Sequence, residues 1–314
     1  MYIGIDLGGT NIAVGLVDDS GKIIAKDSTP TLNEREYPEI IKDMIFLSEK
    51  IVADAGLSMN DIKGIGIGSP GSIDYKRGRV AYANNIKFKD VPLAEEIKKY
   101  YDIPVVLEND ANAAACGEYI ANGENADIFV AITLGTGVGG GVIIDNKIYR
   151  GSNGAGAELG HFTLVHGGLP CTCGKNGCWE TYASVTALIS QTKVAMSKYP
   201  ESLMNTIAKE RGEVNGRTAF DAAKEGDAAA MQVVKKYTEY VADGIVSIIN
   251  IFQPKKLVIG GGISREGEYL LTPVIEYVRK YDYNKYFEKT EITTATLFND
   301  AGIIGAALAA KYMR

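Results

Sequence analysis

The sequence predicts an α/β protein that contains two copies of one unit, with mixed sheets covered by helices on both faces. Apolar, strand-like segments alternate with helical segments along the 314 residues. A stretch that begins at Ile3, IGIDLGGTNIAVGLVDD, is echoed by AITLGTGVGGGVIID around Ala131. Leu7 pairs with Leu134, an offset of 127 residues. In both copies a strand meets a glycine-rich turn and then a second strand, so we expect a duplicated unit of hairpin plus helices.

The first copy begins with short strands and leads to an acidic junction. Alternating apolar residues predict an antiparallel meander, and helical spacing followed by Gly56 predicts the first helix. In order, we expect strands over 2–7, 12–17 and 22–26, a helix over 38–55, a strand over 62–67, a helix over 93–100, a strand over 104–107 and an alanine-rich helix over 111–120. Glu108, Asn109 and Asp110 therefore lie where a strand meets a helix.

The second copy contains a long insertion. In order, we expect a loop-rich insertion over 150–180, helices over 184–198 and 228–252, a strand over 256–259, a helix over 270–280, a strand over 291–296 and a helix over 301–312. With the junction near 122–126, the expected domains are 1–122 and 123–314. The last helix, over 300–313, is expected to pack back on the N-terminal domain.

Composition and charge argue against several classes of protein. With 46% hydrophobic and 23% charged residues, the chain has the composition of a globular protein. Its formal net charge of −6 has the wrong sign for holding nucleic-acid phosphates, so no nucleic-acid partner is expected. The best apolar stretch, over 241–252, is too short to span a bilayer. Because the N-terminus also lacks the features of a signal peptide, we expect a cytoplasmic protein without membrane contact.

The glycine-rich turns of the two copies are typical of phosphate binding. The second matches G-x-G-x-x-G, but the β-branched run Val142-Ile143-Ile144 follows where a dinucleotide site needs a helix. It is therefore a hairpin whose bare amides could approach an anion. The first copy adds the Asp6 carboxylate, which could hold a hydrated Mg²⁺. Two such hairpins facing one cleft would clamp a nucleoside triphosphate, and the alternative is that the glycines only make tight turns.

A third glycine cluster completes the candidate nucleotide site. Gly260, Gly261 and Gly262 follow an apolar strand, and a base or ribose could lie on their backbone, although a plain turn is the alternative. No Walker-type phosphate loop occurs in the sequence. The candidate nucleotide-binding residues are Asp6, Gly8, Gly9, Thr10, Asn11, Thr133, Gly135, Thr136, Gly137, Gly260, Gly261 and Gly262.

One histidine and three cysteines have the spacing of a metal site. The pattern H-x9-C-x-C-x4-C is formed by His161, Cys171, Cys173 and Cys178. In a reducing compartment, four such ligands suit a closed tetrahedral Zn²⁺ site. A redox pair is the alternative, but C-x-C lacks the usual C-x-x-C spacing. With no open coordination position, the expected zinc is structural and holds the loop that carries Glu158 and Glu180.

These motifs together resemble the ROK family of sugar kinases, and the similarity extends over essentially the whole chain. The motifs are DLGGT at 6–10, ENDAN at 108–112, LGTGVGGG at 134–141, ELGH at 158–161 and CTCGKNGCWE at 171–180. The cysteine motif together with the acidic strand end is highly specific, whereas the glycine turns alone would not identify a family. The resemblance implies the actin/hexokinase-like (ribonuclease H-like) duplication, with two domains around a cleft.

The resemblance also implies an activity and a set of site residues. It implies phosphorylation of the 6-hydroxyl of a hexose by ATP with Mg²⁺, on an N-terminal domain that supplies the catalytic base, Asp110, and a C-terminal nucleotide domain. A helix N-cap before Ala111 is the alternative role for Asp110. The implied sugar contacts are Asn109, Asp110, Glu158, His161 and Glu180, with Gly71 and Asn85 as secondary contacts. His161 would meet zinc with one ring nitrogen and the sugar with the other.

Glucose is the expected sugar, and a homodimer is expected by analogy with the family. The segment GAGAELGH at 154–161 is similar to the glucokinase form, and N-acetylmannosamine kinases often have histidine where Glu158 stands. Alternatives are a kinase of N-acetylmannosamine or N-acetylglucosamine, a fructokinase, and a sugar sensor without catalysis. ADP or polyphosphate are alternative donors. The family also includes repressors with an N-terminal DNA-binding domain, which the strand starting at Tyr2 and the negative charge disfavour.

Overall fold

The computed structural model describes residues 1–83, 85–122 and 126–312. Its chain forms two compact units, each assembled from separate segments. Unit 1 contains residues 1–131, 141–157 and 296–314, and unit 2 contains residues 132–140 and 158–295. The expected domains 1–122 and 123–314 stay a prediction. Their junction at 123–125 and residue 313 of the expected last helix lie outside the described residues.

The secondary structure alternates between strands and helices. The strands are β1 (Tyr2–Leu7), β2 (Asn11–Val17), β3 (Ile23–Pro30), β4 (Ile65–Ser69), β5 (Ser72–Asp74), β6 (Arg79–Ala83), β7 (Phe88–Val91), β8 (Val105–Asn109), β9 (Ile128–Leu134), β10 (Val138–Ile144), β11 (Lys147–Ile148), β12 (Lys256–Gly260) and β13 (Glu291–Thr294). The helices are α1 (Tyr37–Asp54), α2 (Leu93–Lys98), α3 (Asp110–Asn122), α4 (Glu180–Ala183), α5 (Val185–Lys198), α6 (Leu203–Arg211), α7 (Thr218–Lys224), α8 (Ala228–Phe252), α9 (Glu268–Tyr281) and α10 (Asp300–Tyr312). This alternation confirms the predicted α/β class.

Two five-stranded sheets repeat one order of strands. The first runs β3-β2-β1-β4-β8 and the second β11-β10-β9-β12-β13. In the first sheet β1 pairs antiparallel with β2 and parallel with β4, and in the second β10 pairs antiparallel with β11 while β12 and β13 are parallel. The glycine-rich hairpin thus occupies the same two places in each sheet, which confirms the duplication predicted from the offset of 127 residues. The unit boundary passes through β9 and β10.

Alternation along β1 assigns its side chains to the two faces of the first sheet. Ile3, Ile5 and Leu7 belong to one buried cluster with Met44 of α1. Tyr2 belongs to another buried cluster, with residues of α10. Burying one such side chain contributes about 1.5–3 kcal/mol. Because successive side chains of a strand point to opposite faces, Asp6 lies on the face that α10 covers.

Helix α10 lies directly on the backbone of the sheet and of α3. A β-carbon added at Gly4 of β1 would lie 2.0 Å from a carbonyl oxygen of α10, and one at Gly66 of β4 would lie 1.7 Å from another. A β-carbon at Gly305 of α10 would lie 1.7 Å from a carbonyl oxygen of α3. Side chains at these glycines would push the helix away from the sheet. The small residues of GIIGAALA, at 302–309, therefore allow α10 to cover the face that carries Asp6.

Unit 2 is organised around the long helix α8. Helices α4, α5, α7 and α9 all pack against it. Its buried residues follow helical spacing, with Tyr237, Val241 and Ile245 fully enclosed. Asp227 caps its start by accepting a hydrogen bond from the Ala230 amide at 2.7 Å. Within the described ranges, no helix is long and apolar enough to cross a membrane.

Sequence reasoning missed the sheet β5-β6-β7 and the helices α6 and α7. These strands are short and bury few side chains, such as Ile73 and Val80, so alternation has too few positions to be visible. Helix α6 buries only Met204 and Ala208. Strand β3 also continues to Pro30, beyond the predicted end at 26. The prediction ended early because residues 27–30 of this edge strand are polar or proline and show no apolar alternation.

Candidate active site

Two aspartates lie at the carboxyl end of the first sheet, in unit 1. Asp6 is on β1, and Asp110 opens α3 directly after β8. Asp6 stands opposite Gly68 of β4, which in turn stands opposite Glu108 of β8. A β-carbon at Gly68 would lie 3.2 Å from Ala113 Cβ and 3.8 Å from Asp110 Cα. Because this position has no side chain, nothing on β4 separates Asp6 from the start of α3.

The electrostatics of this pair favour proton or cation binding. Burial raises the pKa of Asp110 above its usual 3.8, although the Ala111 amide, which donates to Oδ1 at 2.8 Å, acts in the opposite direction. Burial and, second, the charge of Asp110 raise the pKa of Asp6 to about 6. Two neighbouring carboxylates with raised pKa values can accept a proton or, when both are ionised, attract a divalent cation.

Asn109 caps helix α3. Its Oδ1 accepts hydrogen bonds from the amides of Ala111 at 3.0 Å and Asn112 at 3.2 Å, which is the N-cap arrangement. Its Nδ2 donates to the carbonyl oxygen of Gly71 at 3.3 Å. Asp110 therefore lies inside the helix, so the alternative role as N-cap belongs to its neighbour. The predicted sugar contacts Asn109 and Gly71 lie next to each other.

The turn between β1 and β2 is held from within unit 1. It consists of Gly8, Gly9 and Thr10, and Asn11 begins β2. The fully buried Thr31 binds it twice, since its amide donates to the Thr10 carbonyl at 2.9 Å and its hydroxyl to the Gly8 carbonyl at 2.7 Å. A β-carbon at Gly9 would lie 2.9 Å from Asn85 Cβ. The structure therefore brings Asn85 against the first turn.

The turn between β9 and β10 is held by the segment 180–186 of unit 2. It consists of Gly135, Thr136 and Gly137, and Thr133 lies at the end of β9. The Val185 amide donates to the first carbonyl of the turn at 2.8 Å, and the Thr186 hydroxyl donates to the second at 2.7 Å. Glu180 Oε2 accepts from the Val138 amide at 2.9 Å. A β-carbon on the last glycine of the turn would lie 2.2 Å from that oxygen, so glycine leaves room for the carboxylate.

The third glycine cluster adjoins the second turn. Gly260 ends β12, and Gly262 opens a 3₁₀ helix over Gly262–Glu266. Gly261 has φ +87, in the left-handed region that favours glycine, and a β-carbon there would lie 2.2 Å from the carbonyl oxygen of Leu134. Leu134 directly precedes the second turn. The third glycine cluster and the second turn therefore lie side by side in unit 2.

The histidine and the three cysteines of the predicted metal site converge in unit 2. One ligand atom from each of His161, Cys171, Cys173 and Cys178 lies within 4.8 Å of all the others. The sulfurs of Cys173 and Cys178 are 3.6 Å apart, as are Cys171 Sγ and His161 Nδ1. Zinc–sulfur bonds of about 2.3 Å in a tetrahedron place two sulfurs about 3.8 Å apart. The donor set and its spacing therefore fit a structural zinc ion.

Comparison with known proteins identifies the family. The model of the ROK family matches residues 2–312. The chain belongs to the ROK family. It is 36% identical over 312 residues to a glucokinase of Halalkalibacterium halodurans, covering 99% of this chain and 94% of that protein. It is 39% identical over 310 residues to a glucokinase of Thermotoga maritima, covering 97% of this chain and 95% of that protein.

A solved ROK structure shares the fold over the whole chain. The crystal structure of a ROK family glucokinase from Streptomyces griseus in complex with glucose and AMPPNP has a TM-score of 0.84 and 35% sequence identity. The match covers 99% of both chains. The actin/hexokinase-like fold class expected for this ROK protein is thereby confirmed.

In this ROK protein the predicted sugar contacts of unit 2 lie in or beside the Cys3His cluster formed by His161, Cys171, Cys173 and Cys178. Glu158 directly precedes a 3₁₀ helix over Leu159–His161, and the His161 amide donates to its carbonyl at 3.0 Å. Trp179 is fully buried, and its indole N–H donates to the carbonyl of Tyr240 in α8 at 2.8 Å. This contact anchors the cysteine loop to α8, and Glu180 follows Trp179 directly.

Sequence reasoning missed residues that hold the site of this ROK protein in place. Thr31, Val185 and Thr186 belong to segments distant in sequence from the turns they bind, and no local pattern links them. Gly302 of α10 was also missed, although a β-carbon there would lie 2.7 Å from Asp6 Oδ2. The small-residue pattern of α10 was the available signal, because it predicts close backbone approach.

Proposed function

We propose that this ROK protein transfers the γ-phosphate of ATP to the 6-hydroxyl of glucose. The observation that carries the proposal is the half-buried Asp110, which opens α3 beside Asp6 and has a raised pKa. Phosphoryl transfer to a hydroxyl needs a positioned base and charge neutralisation rather than covalent catalysis. The names of the glucokinase relatives and the complex with glucose and AMPPNP support this choice of substrates.

Asp110 is the proposed general base. Its carboxylate accepts the proton of the 6-hydroxyl while that oxygen bonds to the γ-phosphorus in line. The bond from the γ-phosphorus to the oxygen that bridges it to the β-phosphorus breaks, and ADP leaves. The raised pKa makes the carboxylate a better proton acceptor near neutral pH. The Ala111 amide, at 2.8 Å, orients one carboxylate oxygen.

Asp6 is the proposed carboxylate that faces hydrated Mg²⁺. Mg²⁺ in such sites keeps several waters and is held by one or two carboxylates together with phosphates. When bound, the ion neutralises charge on the transferring phosphate. Asp6 lies beside Asp110, and an ionised pair at this position favours a divalent cation.

The glycine clusters are the proposed nucleotide site. In unit 1 the proposed residues are Gly8, Gly9, Thr10 and Asn11, and in unit 2 they are Thr133, Gly135, Thr136, Gly137, Gly260, Gly261 and Gly262. The Gly8 and Gly135 amides donate to the Asn11 and Gly137 carbonyls within the turns. The proposed donors to phosphate oxygens are therefore the next amides of each turn, which belong to Gly9, Thr10, Thr136 and Gly137. The flat backbone at the third cluster suits the base or ribose.

The proposed sugar contacts belong to both units. In unit 1 they are Gly71, Asn85 and Asn109 together with Asp110, and in unit 2 they are Glu158, His161 and Glu180. Carboxylates and amides distinguish epimers, because a buried polar group that lacks its hydroxyl partner costs about 1–3 kcal/mol. Glu158 is the proposed reason for a preference for glucose over N-acetylated sugars.

Zinc at the Cys3His cluster is the proposed structural metal. The 3.6 Å separation of Cys171 Sγ and His161 Nδ1 supports Nδ1 as the ligand atom and leaves Nε2 for the sugar. Second-sphere contacts of this kind orient side chains beside a metal. We also propose a homodimer. In the proposed division of labour, residues 1–122 supply the catalytic base and the sugar and phosphate side of the site, and residues 123–314 supply the nucleotide side.

The decisive experiment is a side-by-side assay of ADP release from Mg-ATP. Glucose, fructose, mannose, N-acetylglucosamine and N-acetylmannosamine are compared on purified protein with its metal retained. A strong preference for glucose is expected. Preference for an acetylated sugar would retain the kinase and overturn the role of Glu158. Absence of turnover with every sugar, and with ADP or polyphosphate as donors, would favour a sugar sensor.

A further inference from the structure

Glu108 is a buried anion that has no part in the proposed chemistry. Its side chain is 0% exposed and it directly precedes Asn109 at the end of β8. Oε1 accepts hydrogen bonds from Tyr75 Oη at 2.7 Å, the Asn109 amide at 2.9 Å and Asn112 Nδ2 at 3.1 Å. Oε2 accepts from Arg150 Nε at 3.0 Å and Nη2 at 2.5 Å. Every one of these partners belongs to unit 1.

The two oxygens of this carboxylate have different partners. Oε1 binds the backbone of Asn109, which caps α3, and the side chain of Asn112 in the first turn of that helix. Oε2 receives two hydrogen bonds from the guanidinium fork of Arg150. Such paired, charge-assisted bonds fix the plane of a carboxylate. Since the group is planar, holding Oε2 also fixes where Oε1 stands.

Arg150 is itself held by its surroundings. Its guanidinium carbon lies 4.4 Å from the centre of the Tyr75 ring, a cation–π contact. A β-carbon at Gly154, where φ is +88, would lie 2.8 Å from the same ring. The Gly156 amide donates to the Arg150 carbonyl at 2.9 Å, which closes the loop 150–156. Burial, together with the charge of Glu108, raises the pKa of Tyr75 above its usual 10, and its phenol donates to Glu108 Oε1.

We propose that the Glu108–Arg150 ion pair, braced by Tyr75, positions Asn109 and Asp110 for phosphoryl transfer. The three residues of this brace are positioning residues, since they act through the strand end and not on the substrate. The catalytic part of the inference rests on the proposed function. Misplacing a reacting group by about 1 Å can cost about 100-fold in rate, so a rigid strand end matters.

A purely stabilising role explains the arrangement less well. A buried ion pair gains little net stability, because removing both charges from water offsets their attraction. The hydrogen bonds of Oε1 go to the backbone and the first helical turn that carry Asn109 and Asp110. The geometry therefore ties the pair to the position of the base.

Arg150→Met and Arg150→Lys test the proposal, with Arg79→Met as the matched control. The Arg79 side chain is 25% exposed, against 26% for Arg150, and pairs with Asp90 at 2.9 Å in the same unit. We expect kcat to fall about 100-fold in Arg150→Met and about 10-fold in Arg150→Lys, which keeps the charge but loses the fork. KM for ATP should stay within about threefold, KM for glucose should rise because Asn109 is a proposed sugar contact, and Arg79→Met should match wild type.

Two further measurements separate positioning from folding. Amide hydrogen exchange at residues 109–112 of the metal-loaded protein, without substrates, should be faster in Arg150→Met and unchanged in Arg79→Met. Arg150→Met leaves the Glu108 carboxylate buried without its cation, so Tm should fall. In the double variant Glu108→Gln/Arg150→Met the buried group is a neutral amide, so Tm should return toward the wild-type value while kcat stays low. Recovery of kcat together with Tm would show a merely structural role and overturn the proposal.

The remaining outcomes are also decisive. Unchanged exchange in Arg150→Met, or faster exchange with wild-type kcat, contradicts the positioning role. A wild type that phosphorylates no sugar contradicts the proposed function instead. In that case the exchange comparison still reports whether the ion pair holds the strand end.

Discussion

The two glycine-rich turns occupy the same place in the two sheets but differ in the chemistry beside them. The first follows a strand that carries Asp6, and at the offset of 127 residues the second strand carries Thr133. Asp6 lies next to the half-buried Asp110, and desolvation together with the charge of Asp110 raises its pKa to about 6. The second turn is instead contacted by the carboxylate of Glu180, from outside the hairpin.

The supports of the two turns also differ. Thr31, which directly follows β3 in unit 1, binds the first turn, whereas the segment that follows the Cys3His cluster binds the second. The duplicated backbone therefore sets where a turn lies, and the neighbouring elements set its charge and rigidity. We therefore expect substitution of the carboxylates to affect the first turn, and substitution of the Cys3His residues to affect the second.

The largest effect is expected beside the first turn. Asp110→Asn removes the proposed base but keeps the size of the side chain. We expect kcat to fall about 1000-fold, because a general base contributes about 10² to 10⁴ in rate. Steady-state ADP release measures kcat, and calorimetric titration with glucose should give a dissociation constant within about threefold of wild type. Normal turnover by this variant would refute the mechanism.

The rigidity of the second turn should depend on the Cys3His cluster, which Cys173→Ser disrupts. We expect loss of the proposed zinc ion, a lower Tm by on the order of 10 °C, and weaker sugar affinity. Elemental analysis measures zinc, and amide exchange should increase at residues 135–138 while residues 8–11 are unchanged. Cys116→Ala, in α3 of unit 1, is the control and should retain zinc. Equal exchange increases at both turns would contradict the difference in support.

Asp6→Asn should change how stability depends on pH. The pKa of Asp6 is about 6 in the folded protein and about 3.9 in an unfolded chain. Between these values the folded state binds more protons, so the free energy of unfolding falls as pH rises. Without added divalent cations, Asp6→Asn should exceed wild type by on the order of 2 kcal/mol at pH 8 and by much less at pH 4.

The control for this pH effect is Thr133→Val at the corresponding place in the second copy. Valine replaces a neutral side chain, so its difference from wild type should be the same at both pH values. Urea unfolding at pH 4 and pH 8 measures all three proteins. If Asp6→Asn exceeded wild type by the same unfolding free energy at both pH values, Asp6 would not carry the raised pKa.

The elements that sequence predicted best are those with local periodicity. Helix α8 follows its apolar spacing from Ala228 to Phe252, and the offset repeat predicted both hairpins. The short strands β5, β6 and β7 were missed because each buries too few residues to show alternation. Local pattern therefore suffices where a long amphipathic face is buried.

The candidate site shows the same limit. The cysteine spacing predicted a cluster that the structure assembles, because tight turns bring nearby residues together. The partners of Glu108 include Tyr75 and Arg150, which come from separate segments, and only the sheet register and the loop 150–156 bring them to it. Contacts between distant segments arise from tertiary packing, which no single segment encodes.

The smallest expected effect compares the hydroxyls that hold the two turns. Thr31→Val removes a hydroxyl in a fully buried place and leaves the Gly8 carbonyl without that donor, so we expect a loss of about 1–2 kcal/mol in unfolding free energy. Thr186 is exposed, and water can replace its hydroxyl, so Thr186→Val should cost at most about 0.5 kcal/mol. Urea unfolding at pH 7 measures both. Equal losses of unfolding free energy in the two variants would contradict the expected difference between a buried and an exposed hydroxyl.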